Sequence, residues 1–322
     1  QAGQLFMPSL HRHTPSLIAI DPRRAVVRSV AYHRLRSGDT PKARITRNVW
    51  SASGYLLEQW DPRFYALQLG DPSVLPNISH RYSLSGLALS TDSIDAGRSV
   101  ALFGSGGQPI QRWDGRGART RHEYDSLLRP IALFEQASND QQERCVERLT
   151  YGAVTSELAE NNCCGRLTRH DDTAGCVNYD HYALMGSISG ESRRFALVPG
   201  EINWSVVQSL RESALRSERF SSSWQYTALG AVREQIDAKG NRHLSQYGPE
   251  GELTQVSLLL NSGKRKVVLD HRIYNAMGLV IKERAGNGMI TEVSYNEADG
   301  SLQRLASYRS ERREHALQDL TY

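Results

Sequence analysis

Short runs of alternating apolar and polar residues, broken by turn residues, make up most of the chain. Between Tyr226 and Tyr247, for example, such runs are separated first by Gly230 and then by Asp237 and Gly240. The runs are about six residues long, which is the commonest length of β-strands, and glycines recur too often for a stable long helix. The pattern therefore predicts short antiparallel strands that follow one another in a meander, with tight turns between them.

The spacing of aromatic, glycine and aspartate residues repeats along the chain. The positions that fit all or part of the repeat are Trp50, Gly54, Asp61, Tyr82, Gly86, Phe103, Gly107, Asp114, Gly117, Tyr124, Gly165, Asp172, Gly175, Tyr182, Tyr226, Gly230, Asp237, Gly240, Tyr247, Gly251, Tyr274, Gly278, Gly288 and Tyr295. A fixed period indicates an array in which each unit packs against its neighbours. Because strands twist, we expect an all-β fold whose antiparallel meander forms a curved, shell-like sheet.

Aspartate and glycine have distinct tasks in this repeat. A type I turn favours Asp at its first position, where the carboxylate accepts backbone N–H groups, and Gly at its fourth. The segments Asp237-Ala-Lys-Gly240, Asp114-Gly-Arg-Gly117 and Asp172-Thr-Ala-Gly175 all have this order. They are predicted to be hairpin turns.

Three other segments lack the repeat. Residues 64–80 contain two prolines and are predicted to be a long loop or an excursion at a sheet edge, because proline cannot donate to a central ladder. Residues 135–147 are polar and are predicted to be a second loop. Residues 1–13 are treated as an N-terminal extension or tag, so that the repeat region is predicted to span 14–322.

Residues 204–217 predict the one short helical insertion in the array. Ser205 and Gln208 match a capping box. The apolar residues that fall on one helical face are Val206, Val207, Leu210 and Ala214. We expect this face to pack against a sheet or to plug one end of the array, and docking to a partner is the open alternative.

Composition is that of a folded domain and excludes several classes of function. Of the 322 residues 39% are hydrophobic, and 39 basic against 35 acidic residues leave a net charge of only +4. This charge is too small and too dispersed to indicate nucleic-acid binding. No apolar run approaches the roughly 18 residues of a membrane span, and the N-terminus lacks the apolar core of a signal peptide.

The four cysteines, Cys145, Cys163, Cys164 and Cys176, raise the question of a metal site because His170 and His181 lie near the last three. Structural zinc sites typically space their cysteines by two to four residues, and this spacing is absent here. Buried reduced thiols are therefore expected, no cofactor is predicted, and metal binding by the 163–181 cluster is an open alternative. No G-x-S-x-G, Walker or H-E-x-x-H motif is present, so no catalytic residue is predicted.

Six sequence segments that occur in a fixed order make the resemblance to a known family more specific. They are TPSLIAIDPRRAVVRSVAYHR (14–34), ITRNVWSASGYLLEQWDPR (45–63), SLSGLALSTDSIDAGRSV (83–100), RHDDTAG (169–175), QIDAKGN (235–241) and GNGMITEVSY (286–295). With the repeat, they resemble the YD-repeat, or Rhs, family, and within it the N-terminal portion of the C component of bacterial insecticidal Tc toxin complexes. The resemblance runs from residue 14 to the end of the chain.

The resemblance implies a structural role and no enzymatic one. In that family this portion joins the B component to build a hollow β-shell around a cytotoxic effector, which is the C-terminal part of the same polypeptide. The implied partners are therefore a B component and an effector polypeptide, and the implied location is extracellular, within a toxin complex made in the bacterial cytoplasm. The chain ends at QDLTY inside the repeat region, so the family's catalytic aspartates have no matching positions.

A carbohydrate- or cell-surface-binding β-repeat is the alternative function. It would require exposed aromatics outside the repeat, for which Trp60, Trp113 and Trp204 are the candidates. The regular spacing of the repeat aromatics instead favours structural stacking on the next unit, worth roughly 0.2–1 kcal/mol per cross-strand pair. We also expect exposed sheet edges that bind a partner or promote self-association.

Overall fold

Antiparallel strands account for most of the computed structural model, which describes residues 11–198, 200, 202–310 and 315–322. The chain divides in sequence into two compact units, Gln1–Cys145 and Val146–Tyr322. Most of the predicted N-terminal extension, residues 1–10, lies outside the described residues.

In the first unit each strand pairs with the next one along the chain. The described elements are β1 (Leu17–Ile20), β2 (Val26–His33), β3 (Lys42–Trp50), β4 (Leu56–Trp60), α1 (Pro62–Gly70), β5 (Ile78–Tyr82), β6 (Ala88–Ser93), β7 (Gly97–Phe103), β8 (Pro109–Trp113), β9 (Arg119–Tyr124) and β10 (Pro130–Gln136). All pairings from β1–β2 to β9–β10 are antiparallel.

The second unit continues the same pattern. Its elements are β11 (Arg144–Tyr151), which begins just before the division, α2 (Ser156–Glu160), β12 (Leu167–Asp172), β13 (Gly175–Tyr182), β14 (Ile188–Phe195), α3 (Gln208–Ser213), β15 (Phe220–Tyr226), β16 (Val232–Ile236), β17 (Arg242–Tyr247), β18 (Leu253–Leu259), β19 (Arg265–Tyr274), β20 (Val280–Ala285), β21 (Met289–Tyr295), β22 (Leu302–Arg309) and β23 (Gln318–Thr321). From β11 to β23, consecutive strands pair antiparallel. The predicted all-β antiparallel meander is confirmed.

The ends of the strands follow the repeat. Tyr226 and Tyr247 are each the last residue of a strand, and they pair with Val232 and Leu253, the first residues of the next strands. The register shifts by one residue just before each of these pairs. Such a bulge changes the direction of the side chain beside it. The repeat aromatic therefore combines a strand-end position with a side chain reoriented by the bulge.

Full burial is confined to a few places, because most strand residues are only half-buried, as in β9 along its whole length. In the first unit Trp60 and Tyr65 are buried at helix α1. In the second unit Trp204 and Leu215, which flank helix α3 in sequence, are 3% and 5% exposed. The helices thus supply local cores, in addition to single buried strand residues such as Val256 and Tyr308, in a sheet that is mostly half-buried.

The prediction of a loop over 64–80 is wrong in its first half, which belongs to helix α1. The Asp61 carboxylate caps this helix by accepting the N–H groups of Arg63 and Phe64 at 2.8 and 3.0 Å. Pro62 follows at the first helical position, where a missing N–H costs nothing. The prolines of the predicted loop lie after the helix, between α1 and β5.

The predicted loop over 135–147 is also too long. Strand β10 extends to Gln136 and β11 begins at Arg144, so only 137–143 connect them. The polar residues at both ends of that segment belong to strands: Glu135 is at an exposed position of β10, and Arg144 and Glu147 are half-buried in β11.

Three helices, rather than one insertion, interrupt the strands in the described residues. The unpredicted helix α2 begins at Ser156, where the Thr155 hydroxyl accepts the N–H of Leu158 at 3.3 Å. No helix among the described residues is long and apolar enough to cross a membrane.

The helix predicted over 204–217 is shorter than expected, since α3 covers only Gln208–Ser213. The predicted capping box is wrong, because Val207 precedes the helix and no side chain caps it. The Ser205 hydroxyl instead accepts the N–H of Val207 at 3.1 Å.

The orientation of α3 is the reverse of the one predicted. Val206 and Leu210 are 76% and 58% exposed, whereas Arg211 is 5% exposed. The apolar face therefore does not pack against a sheet. Ion pairs with strand residues hold the charged face inward instead, as described below.

Candidate functional site

Six repeat tyrosines share one hydrogen-bond arrangement, which we call the tyrosine ladder. Tyr124, Tyr182, Tyr226, Tyr247, Tyr274 and Tyr295 donate their hydroxyls to the carbonyls of Pro109, Leu167, Ile188, Val232, Leu253 and Val280, at 2.6, 2.6, 2.5, 2.9, 2.8 and 3.2 Å respectively. Every accepting carbonyl belongs to the first residue of a strand. Each hydroxyl thus donates to the carbonyl at the end of the neighbouring strand, where the backbone hydrogen bonds between the two strands stop.

The ladder connects successive hairpins in the second unit. Val232 accepts the hydroxyl of Tyr247 and is itself the strand partner of Tyr226. Leu253 stands in the same relation to Tyr274 and Tyr247. Tyr247 and Tyr274 are therefore each bonded to the residue that pairs with the preceding tyrosine of the ladder. A net contribution of about 0.5–1.5 kcal/mol per bond is typical.

The ladder replaces the stacking predicted for the repeat aromatics. Tyr82 stacks on Tyr55, which lies outside the repeat, with ring centroids 5.0 Å apart. Trp50 uses its indole N–H as the tyrosines use their hydroxyls, donating to the carbonyl of Val26 at 2.9 Å. Phe103 also ends a strand but has no donor. Burial raises the pKa of Tyr182, which favours the protonated, donating form of its hydroxyl.

Two repeat turns have the geometry that their sequences suggest. In the Asp237 turn the N–H of Gly240 donates to the Asp237 carbonyl at 2.8 Å. The Asp237 carboxylate accepts the N–H groups of Lys239 and Asn241, both at 2.9 Å. Gly240 has φ +78°, which a residue with a Cβ rarely adopts. The Asp114 carboxylate accepts two N–H groups in the same way.

The remaining repeat positions lie as follows. The repeat glycines all have positive φ, between +71° and +145°, at Gly54, Gly86, Gly107, Gly117, Gly165, Gly175, Gly230, Gly240, Gly251, Gly278 and Gly288. Asp61 differs from the other repeat aspartates because it caps helix α1. Asp172 also differs, since it pairs directly with Gly175 across a two-residue turn.

One turn of the same kind escaped the sequence pattern. The Asp125 carboxylate accepts the N–H groups of Leu127 and Arg129, each at 2.9 Å, and Leu128 stands where glycine is usual, with φ +59°. The aspartate directly after Tyr124 was the available signal. It was missed because the glycine that defines the repeat is absent.

A buried group of charges lies between strands β11–β14 and helix α3 in the second unit. The Arg169 guanidinium contacts both carboxylate oxygens of Asp171 at 2.7–3.0 Å. The Arg211 Nε lies 3.2 Å from Asp171 Oδ2. Asp171 is fully buried, and both arginines are 5% exposed. Residues two apart on a strand share a face, which is why Arg169 and Asp171 meet.

More arginine than carboxylate surrounds this pair. Glu212 of α3 pairs with Arg169 and Arg194. Arg148 stands opposite Asp171 in the strand register and is 8% exposed, and its Nε has no hydrogen-bond partner among the described residues. We call Arg148, Arg169, Asp171, Arg194, Arg211 and Glu212 the arginine cluster. Burial lowers the pKa of Arg211, and the nearby Arg169 and Arg148 act in the same direction.

The cysteine and histidine residues do not gather into one site. Cys176 pairs with Asp171 across the strands, whereas His170 precedes Asp171 and so points to the other face. Cys163 is 1% exposed, and its thiol donates to backbone carbonyls. Burial raises the pKa of Cys176 to about 12. No group of three or more His, Cys, Asp or Glu arranged for a metal ion occurs within the described residues.

Two of the three tryptophans considered for sugar stacking are inaccessible. Trp60 and Trp204 are 4% and 3% exposed. Their indole N–H groups donate to the carbonyls of Val74 and Asp172 at 3.1 and 3.0 Å. Trp113 is half-buried. The structure therefore gives no specific support to the carbohydrate-binding alternative.

Comparison with known proteins identifies similar chains, although no family model matches. Toxin subunit YenC1 of Yersinia entomophaga is 30% identical over 316 residues, covering 95% of this chain and 32% of the relative. Toxin subunit YenC2 of the same organism is 28% identical over 342 residues, covering 97% and 34%. The chain thus spans about a third of the length of these curated relatives.

Solved structures give the same result. The crystal structure of TcdB2–TccC3 superimposes with a TM-score of 0.88 at 30% identity, covering 98% of this chain and 15% of that one. The Tc holotoxin pore of Photorhabdus luminescens gives the same TM-score and identity over 99% of this chain and 15% of that one. The predicted resemblance is confirmed: this chain is homologous to the Tc toxin subunits YenC1 and YenC2, and it has the fold of part of the TcdB2–TccC3 toxin assemblies.

Proposed function

We propose that this chain forms a section of the wall of a Tc-type toxin shell, which it builds with a B component around a cytotoxic effector. The observation that supports this most strongly is the match to the TcdB2–TccC3 complex over 98% of the chain. In this proposal residues 14–322 act as one repeat region, and the segment with α3 is an insertion in it. The assembled complex acts outside the producing cell.

The proposed mechanism is confinement rather than catalysis. A wall must exclude solvent and proteases without a thick core, and most strand residues here are only half-buried. The tyrosine ladder and the Asp turns fasten the ends of the strands, where fraying of a thin sheet would begin. These bonds suit a closed container whose contents must stay separated from the medium.

An exposed strand provides a way to join the partner. All four residues of β1 are exposed, and the fraction is 65% for Ile18. Strands with free edges recruit strands from other chains through backbone hydrogen bonds. In the proposal this strand contacts the B component.

The test is reconstitution with the B component encoded beside the gene for this chain. The two proteins are co-expressed, and the mass of the product is measured by size-exclusion chromatography with light scattering. We expect a stoichiometric complex that persists on dilution. A folded chain that elutes alone beside a folded B component would contradict the proposal.

A further inference from the structure

A cleft of about 380 Å³ opens beside helix α3 in the second unit. Its walls are mainly apolar, formed by Leu197, Val198, Ile202, Trp204 and Leu210, with Arg211 among them. Ile202 and Trp204 are 9% and 3% exposed. The cleft therefore combines an apolar wall with one nearly buried cation.

The rim of this cleft is unusually apolar for a surface. Leu197 and Val198 are 54% and 66% exposed, and Leu210 is 58% exposed. Val206 and Val207, which enter the helix, are 76% and 53% exposed. Covering apolar surface is worth roughly 25 cal/mol per Å², and such patches often mark interaction sites.

The charge beneath the cleft is unbalanced in the same place. Arg211 shares the Asp171 carboxylate with Arg169, and its one other polar contact among the residues that the structure describes is with the carbonyl of Ser205, at 3.4 Å. Arg148, also nearly buried, lacks a partner for its Nε within the described residues. Buried cations are stabilised by carboxylate partners, and among the described residues Arg169, Arg194 and Arg211 share two carboxylates, those of Asp171 and Glu212. The described part of the cluster thus holds more guanidinium groups than carboxylates.

We propose that this cleft binds a short apolar peptide segment of another protein, and that an acidic side chain of the segment pairs with Arg211. The positive charge of Arg211 favours a carboxylate in the ligand. The exposed apolar rim favours apolar residues on both sides of that acidic residue. Val206 and Val207 are exposed and directly follow Ser205, which lines the cleft, so apolar surface continues past the cleft itself, which favours a peptide over a small molecule. The inference does not depend on the proposed shell.

The test uses the full chain and two labelled peptides, Leu-Leu-Glu-Leu-Leu and Leu-Leu-Gln-Leu-Leu, in fluorescence anisotropy titrations. We expect the glutamate peptide to bind about tenfold more tightly, because only it supplies a charge-assisted pair. Leu210→Ser should weaken binding of both peptides severalfold. Val154→Ser, a control at a 93% exposed position elsewhere, should leave both affinities unchanged. Equal affinities for the two peptides, or no effect of Leu210→Ser, would overturn the proposal.

A second variant separates the charge from the fold. Ser205→Asp places a carboxylate beside Arg211, and Ser205→Asn is its uncharged match. We expect the Asp variant alone to lower the affinity for the glutamate peptide to that of the glutamine peptide. If both variants bind like the wild type, Arg211 does not receive the carboxylate and the proposal fails. Tighter binding of decanoate than of either peptide would also overturn it, in favour of a small amphiphile. None of these outcomes involves the B component.

Discussion

A single hydroxyl separates the repeat tyrosines from phenylalanine, and in the ladder that hydroxyl is a donor to a strand end. Tyr247→Phe removes the bond to the Val232 carbonyl, at 2.9 Å, and leaves the ring in place. We expect a loss of about 0.5–1.5 kcal/mol in the free energy of unfolding. Urea unfolding followed by circular dichroism would measure it. Tyr322→Phe is the matched control, because Tyr322 is 69% exposed. An equal change in the free energy of unfolding for both variants would show that the ladder bond does not stabilise the fold.

Asp172 gives a prediction for the dependence of stability on pH. Burial alone would raise the pKa of Asp172, but hydrogen bonds from Arg193, at 2.6 and 2.7 Å, and from the N–H of Ala174 outweigh it and hold the pKa below its ordinary value. A carboxyl whose pKa is lower in the folded state stabilises the fold above its unfolded pKa, about 3.9. That contribution is lost as the pH falls through the folded value.

We therefore expect the Tm of the wild type to fall below about pH 4. Asp172→Asn should lower the Tm at neutral pH and make its dependence on pH shallower in the acid range. Differential scanning fluorimetry from neutral pH to pH 3 measures both. Parallel curves for the two proteins would show that Asp172 is not among the groups responsible.

At the scale of single residues, the sequence predicted the local conformation where one residue type is strongly preferred for it. Glycines such as Gly240 mark positive φ because no other residue adopts it cheaply. The hydrogen-bond partner of Tyr247 could not be predicted, since the carbonyl of Val232 lies 15 residues away in sequence. Leu128 was missed for the converse reason, because its φ of +59° is held by the surrounding turn and not by its own preference.

Among the elements, helix α1 depends on its first residues. The Asp61 carboxylate accepts two N–H groups that the helix itself cannot satisfy. Asp61→Ala should cost about 1 kcal/mol in unfolding free energy, whereas Asp61→Asn should cost much less because Asn is an equally good cap. Hydrogen exchange of the Arg63 and Phe64 amides would report the loss locally. Equal protection in both variants would contradict the prediction.

In helix α3 we expect a charged residue to contribute more to stability than an apolar one, which is the opposite of what hydrophobicity suggests. Leu210→Ser should change the free energy of unfolding by no more than about 0.5 kcal/mol, because the side chain is 58% exposed. Arg211→Ala should cost more than about 1.5 kcal/mol, since it removes a charged contact from the fully buried Asp171. Thermal and urea unfolding of both variants tests this order. A larger loss for Leu210→Ser would restore the orientation predicted from the sequence.

The apolar periodicity of the sequence located helix α3 but predicted the wrong face to be buried. Apolar spacing states which residues share a face, and it is silent on which face turns inward. Here Asp171, the partner of Arg211, and Arg169, a partner of Glu212, lie on strand β12, about forty residues earlier in the chain, so no local pattern contains them. Helix α1 was missed because the two prolines of 64–80 indicated a loop for the whole segment, whereas both lie after the helix.

At the scale of the whole molecule, strand β1 determines how the chain behaves at high concentration. Ile18 is 65% exposed on this strand, and exposed strands of this kind pair with other chains. We expect the isolated chain to self-associate reversibly, and Ile18→Lys to reduce that association. Sedimentation velocity over a range of concentrations measures it. Leu84→Lys, in an exposed turn, is the control, and equal behaviour of both variants would exclude β1 as the contact.

The ladder also bears on where the chain could change in length. Four of its bonds join residues 15 apart in sequence, but Tyr226 reaches Ile188 across 38 residues, and the segment with α3 lies between them. Insertions inside a hairpin would displace its tyrosine, whereas additions to the β14–β15 connection leave the bonding of the strands as it is. In evolution, new sequences would be retained most readily at that connection. For protein engineering, it is the place to graft a reporter or an affinity tag.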